Sequence, residues 1–225
     1  MSPDISKHEC ASRVLRFLER SYPKPEGLLK HANAWQLLVA TVLAAQCTDV
    51  RVNQVTPAFF ERWPDSEALS VAKQEEVEEI VRSTGFFRNK AKNLIEAARY
   101  LLREHEGQVP SSLDELIKIP GVARKTANVV LYGAYGINEG LAVDTHVKRI
   151  SYRLGLTEKT DPVRIEKDLL PLFPRESWGD VNHRMVWFGR DVCHARVPWC
   201  NKCDMANFCP QKGVELKKLA AKGKK

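Results

Sequence analysis

Long apolar runs are missing from this sequence. The longest, Leu37 to Ala45, is interrupted by Thr41 and falls far short of the roughly 18 residues that cross a membrane. The opening stretch, Met1 to Cys10, is polar and does not read as a signal peptide. These absences point to a soluble intracellular protein with no membrane partner. A fixed-period repeat and a convincing strand pattern are missing too. So is net charge in the first half: residues 1–110 carry 15 basic and 15 acidic side chains. The whole excess of +7 lies in residues 111–225, and residues 211–225 hold +5 of it, six lysines against Glu215. A lysine tail is usually a solvated, disordered end, so the basic balance is compatible with a polyanionic partner and identifies none.

What is present is helix after helix. With 225 residues and 44% hydrophobic content, the chain can bury one large core or two small ones. Cys10, Val14, Phe17 and Leu18 mark a first amphipathic helix, ended at Tyr22-Pro23. Trp35, Leu38, Val39, Val42 and Leu43 mark a second, ending near Gln46-Cys47-Thr48-Asp49. Val52, Val55, Phe59 and Phe60 give a third, and Glu75 to Val81 a fourth with Ser83-Thr84-Gly85 as its exit. The cleanest stripe is Ala91, Leu94, Ile95, Ala98, Leu101 and Leu102, closed by Gly107 and Pro110. Further helices are expected from Asp144, from Asp161-Pro162 with proline at the first helical position, and around Trp178 to Val186. The fold class is all-α.

The chain is organised around Ile119-Pro120-Gly121-Val122-Ala123-Arg124-Lys125-Thr126-Ala127. Ser112 to Glu115 reads as a capping box opening a short helix, which Pro120-Gly121 breaks into a tight turn. From Arg124 the pattern is helical again. The backbone N–H groups at this new helix start can hold a phosphate. Lys125 stands in the first turn, where the helix dipole disfavours an ammonium and favours the free amine a nucleophile needs. A phosphate-binding lysine is an equally good reading of the same position. Asp144 lies 19 positions further on. A helix over 124–135 climbs about 18 Å, and the connector 136–143 spans at most about 26–29 Å, so Asp144 can return to the level of Lys125. It could equally be a plain helix cap.

Four cysteines close the chain as Cys193-x6-Cys200-x2-Cys203-x5-Cys209. In a reducing compartment this concentration points away from disulfides and towards a metal site, either tetrahedral zinc or an iron–sulfur cluster. Cys10 and Cys47 fall outside the pattern and read as small buried hydrophobes.

Ile-Pro-Gly-Val-Ala-Arg-Lys-Thr-Ala-Asn-Val-Val-Leu resembles the helix-hairpin-helix of the endonuclease III family of DNA repair glycosylases and lyases. Val143-Asp144-Thr145-His146-Val147 resembles that family's aspartate motif, and the cysteine spacing resembles its 4Fe–4S loop. The resemblance covers nearly the whole chain, and it implies two domains. A six-helix barrel would span 27–137; residues 1–26 with 138–225 would form a cluster-bearing domain with a disordered basic tail from about 212. DNA would lie across both. The implied enzyme is a monomeric base-excision repair glycosylase acting on double-stranded DNA with damaged bases or abasic sites. Lys125 would attack the sugar of a flipped, oxidised pyrimidine, and β-elimination would follow, with Asp144 assisting. A non-catalytic helix-hairpin-helix binding protein with a structural metal site is the alternative. Leu43 to Asp49 matches the loop whose glutamine, here Gln46, fills the hole left by the flipped base, with Thr48 beside it. Phe86 aligns with a second wedge, though Phe86 or Phe87 could instead be core. Gly121, Ala123 and Arg124 would meet phosphate, and His146 would contact DNA or satisfy a helix start. The family usually has glycine where this chain has Ala123. Cys193, Cys200, Cys203 and Cys209 would hold the cluster, and the flanking Arg190, Arg196 and Lys202 would reach phosphates.

Overall fold

The structure, a computed structural model, describes residues 5–24 and 27–214. Among these residues every regular element is helical, as the 3.6-residue periodicity requires. No helix is long and apolar enough to cross a membrane. The chain divides into two compact units, one from Gly27–Glu139 and the other from Met1–Glu26 with Gly140–Lys225.

Helix α1, Lys7–Ser21, starts where the Ser6 hydroxyl accepts from the Glu9 N–H, and buries Cys10, Ala11, Val14 and Leu18. The Gly27–Glu139 unit then builds up from α2, Ala34–Leu43, capped by Asn33. Eight of the ten α2 residues are buried, so it is the central element of its unit and not a one-sided surface helix. Around it stand α3 (Asp49–Arg62), α4 (Ser66–Ser70), α5 (Gln74–Val81), α6 (Phe87–His105), α7 (Leu113–Leu116) and α8 (Arg124–Tyr135). Helix α4 is a single turn with no periodicity to announce it; its signal is the Asp65 cap on the Ala68 N–H. A 3-10 turn, Arg82–Thr84, follows α5. Gly133 lets α8 lie directly on α2, because a Cβ there would stand 2.6 Å from Leu37 Cδ2. That contact fixes the helix on which Lys125 rides.

In the other unit, α9 (Thr145–Arg153), α10 (Pro162–Leu169) and α11 (Trp178–Asp191) pack with α1. Their shared core contains Leu18, Ile150, Leu169, Met185 and Phe188, with Phe17 edge-on to Phe188 at 5.5 Å between centroids. Each fully buried side chain of this size contributes about 1.5–3 kcal/mol. Arg184 donates through Nε to the Tyr22 carbonyl at 3.0 Å, tying α11 to the chain leaving α1. Of the lysine tail expected from about 212, residues 215–225 lie outside the described residues. Lys212 itself pairs with Glu158 at 2.6 Å, and its N–H donates to the Arg153 carbonyl.

Candidate active site and cysteine loop

Residues 119–122 form a β-turn in which the Val122 N–H donates to the Ile119 carbonyl at 3.0 Å. Pro120 pre-sets φ at the second position, and Gly121 at the third has φ +80°, the combination a type II turn demands. Gly121 is required twice over, since a Cβ would also stand 2.9 Å from Asn93 Cβ. Ala123 has φ −86° and ψ 165°, ordinary extended backbone. The turn therefore asks nothing of residue 123 that only glycine could supply. Ala123 is the N-cap of α8 and has no side chain able to cap it, so no side-chain cap competes at the first turn of α8, where Arg124 and Lys125 stand. Lys125 is half-buried.

The expected capping box at Ser112 does not form. The Ser112 side chain makes no cap bond, and the Leu113 N–H is capped instead by the Glu139 carboxylate at 3.0 Å. Glu115 is drawn away to the Lys118 ammonium at 2.7 Å. That acceptor lies 26 residues further along the chain.

Two loops of the same unit carry the other expected contacts. Residues 44–48 join α2 to α3; Gln46 is exposed with φ +54°, and Thr48 caps α3 through the Arg51 N–H. Cys47 is only partly buried, because it sits in this loop and not on a helix face. Phe86 follows the 3-10 turn with φ +46° and is 64% exposed. Phe87 is the core residue of the pair, packed against the apolar cluster with Arg82 and Arg88 over its ring. Behind both loops lies a residue that periodicity alone passes over. Lys90, on the apolar stripe of α6, is buried, and its Nζ donates to the Leu43 and Thr84 carbonyls at 2.7 Å each.

In the other unit Asp144 caps α9. Its Oδ1 accepts from the N–H groups of His146 and Val147, both at 2.8 Å, so the carboxylate is fixed at the positive end of the helix. His146 Nδ1 stands 3.1 Å from Arg149 Nη2. One turn apart on α9, Arg149 and Arg153 hold the cysteine loop by its carbonyls. Arg149 reaches Cys193 O; Arg153 reaches His194 O at 2.7 Å, Ala195 O at 2.8 Å and Cys193 Sγ at 3.3 Å. These two arginines carry no motif, but their spacing places both on one helix face.

None of the six cysteines is in a disulfide. Cys193, Cys200, Cys203 and Cys209 line one cavity whose wall includes Ile150 and Phe188. Burial pushes the Cys209 thiol up to about 12; the Gln211 backbone opposes this, and the charges of Cys193, Cys203 and Cys200 add to it. Burial pushes the Cys200 and Cys203 thiols up as well, with neighbouring cysteines adding to it, and a group that brings positive charge would hold such thiols as thiolates. Among the described residues no three His, Cys, Asp or Glu side chains are set to hold one metal ion. The donors ring a cavity and do not converge on a point.

Comparison with known proteins fits this geometry. The model of the HhH-GPD superfamily of base excision DNA repair proteins matches residues 39–175, which span the hairpin, Lys125 and Asp144. Endonuclease III of Synechocystis is 52% identical over 205 residues, covering 91% of this chain and 94% of the relative. Endonuclease III of Bacillus subtilis is 42% identical over 189 residues, covering 84% and 86%. A trapped covalent endonuclease III–DNA intermediate superposes with TM-score 0.88 at 39% identity, covering 92% of this chain and 97% of that one. The fold is thus that of a helix-hairpin-helix base-excision DNA glycosylase. Within that class, the chain belongs to the endonuclease III family.

Proposed function

We propose that Lys125 is the nucleophile of a bifunctional glycosylase and abasic-site lyase acting on oxidised pyrimidines in duplex DNA. The damaged nucleotide leaves the stack for a pocket. Lys125 Nζ, as the free amine, bonds to C1′ of the sugar while the C1′–N bond to the base breaks and the base leaves with a proton. The sugar ring opens to a Schiff base. Loss of a proton from C2′ then breaks the C3′–O3′ bond, and water releases the amine. Asp144 supplies a fixed negative charge that orients the amine and stabilises cationic character at the sugar. Its two backbone donors hold the carboxylate in one position, and the family match over residues 39–175 supports the role.

The observation that carries the reading is the first turn of α8. It presents Lys125 directly after a type II Pro-Gly turn, with no side-chain cap to compete with a phosphate. Gly121, Ala123 and Arg124 would receive that phosphate. Gln46, Thr48, Phe86 and His146 are assigned to DNA around the lesion, the first and third as wedges; Gln46, Thr48 and Phe86 are exposed and His146 is half-buried. Cys193, Cys200, Cys203 and Cys209 fit a 4Fe–4S cluster. Such a group would supply structural cross-linking of the loop and electron-transfer capacity; elimination chemistry itself moves no electrons between redox partners. A cytoplasmic, nucleoid-associated location follows from this substrate. The test is a duplex with one oxidised pyrimidine and a labelled damaged strand. Base release together with a 3′ unsaturated aldehyde end is expected; release of the base with an intact strand would remove the lyase step.

A further inference from the structure

The two loops assigned as wedges are joined beneath the surface by one side chain. Leu43 is the last residue of α2, immediately before 44–48, and Thr84 ends the 3-10 turn immediately before Gly85 and Phe86. Both carbonyls lie at helix C-termini, where in-helix donors run out. The Lys90 ammonium donates to both at 2.7 Å while only 5% exposed. Three residues beyond the first carbonyl, Gln46 has φ +54°; two beyond the second, Phe86 has φ +46°. Left-handed backbone at a non-glycine residue costs of the order of 1–2 kcal/mol and persists where the surroundings hold it.

We infer that Lys90 is a positioning residue that locks the Gln46 and Phe86 loops into one rigid unit, so that both wedges enter a damaged duplex together. The inference rests on the wedge roles proposed above. A buried ammonium is expensive. At the same position on the stripe shared with Leu94 and Leu101, an aliphatic side chain would pack at no such cost. Burial pushes the Lys90 pKa down, and the Cys47 charge offsets this only in part. Against that cost stand two hydrogen bonds, one to each loop. An ammonium suits the task because its donors diverge from a single atom, whereas a guanidinium presents a planar fork.

The experiment measures affinity for a duplex containing a tetrahydrofuran abasic-site analogue and for the undamaged duplex. The variants are Lys90→Met, Gln46→Ala, Phe86→Ala and the two double variants. Lys90→Met is expected to lower the preference for the abasic analogue about tenfold with undamaged affinity unchanged. Adding Gln46→Ala or Phe86→Ala to it should cost less than in the wild type, because the residues act as a unit. Additive losses, or an equal loss on both duplexes, would overturn the inference and leave Lys90 a structural residue. If Gln46→Ala and Phe86→Ala themselves leave the preference unchanged, the wedge assignment fails and the inference falls with it. If they lower it and Lys90→Met does not, only the inference fails. Should Lys90→Met not fold, Lys90→Gln keeps two N–H donors on a shorter stem, and the same non-additivity is required of it.

Discussion

Arg153 Nη1 lies 3.3 Å from Cys193 Sγ, and the same guanidinium donates to the carbonyls of His194 and Ala195. A residue 8% exposed thus organises the first residues of the cysteine loop. Arg153→Met should leave these carbonyls unpaired and destabilise the unit by about 3 kcal/mol. Urea unfolding checks this. Arg153→Lys, a point charge without the fork, should recover only part of it. Full recovery by lysine would mean that charge and not geometry holds the loop.

Gly121→Ala should destabilise the Gly27–Glu139 unit by about 2 kcal/mol, from positive φ and from the contact with Asn93. Asn93→Gly in the same chain removes the contact and leaves the backbone cost, so it should restore roughly half. Ala123→Gly should gain nothing in turn geometry, since Ala123 already sits at φ −86°. Its expected effect is a loss of a few tenths of a kcal/mol through unfolded-state entropy, read by thermal unfolding.

Lys90 also predicts a pH dependence. Its native pKa is lowered by burial from the ordinary 10.5. Between the two values the unfolded chain binds more protons, so stability rises with pH. The unfolding free energy of the wild type minus that of Lys90→Met should therefore increase as pH climbs towards 10.5. A difference that stays flat or falls would mean the native ammonium is not destabilised by its burial.

Replacing Cys203 by serine under anaerobic conditions should cost iron content, folding of the Met1–Glu26/Gly140–Lys225 unit and DNA binding together. Iron analysis and circular dichroism report the first two. An intact fold with loss of only strand cleavage would contradict a structural role for the cluster.

The helices were legible because periodicity survives in sequence: α6 shows its stripe and α10 its Asp161-Pro162 start. The hairpin was legible because proline and glycine at adjacent turn positions leave few conformations. What stayed hidden depends on partners far along the chain. Glu139 displaces Ser112 as a cap from 26 residues away. Phe86 and Phe87 are interchangeable in sequence, and only a left-handed residue at 86 turns one out and the other in. Lys90 looks like a polar interruption of an apolar stripe until the two carbonyls that it bridges are placed.

Borohydride trapping on a duplex carrying one oxidised pyrimidine tests the central claim most directly, with Lys125→Ala run in parallel. A reduced covalent protein–DNA adduct is expected from the wild type and none from the variant. An adduct that persists in Lys125→Ala would show that another amine attacks. No adduct from either protein, on lesion or abasic DNA, would contradict Schiff-base chemistry altogether.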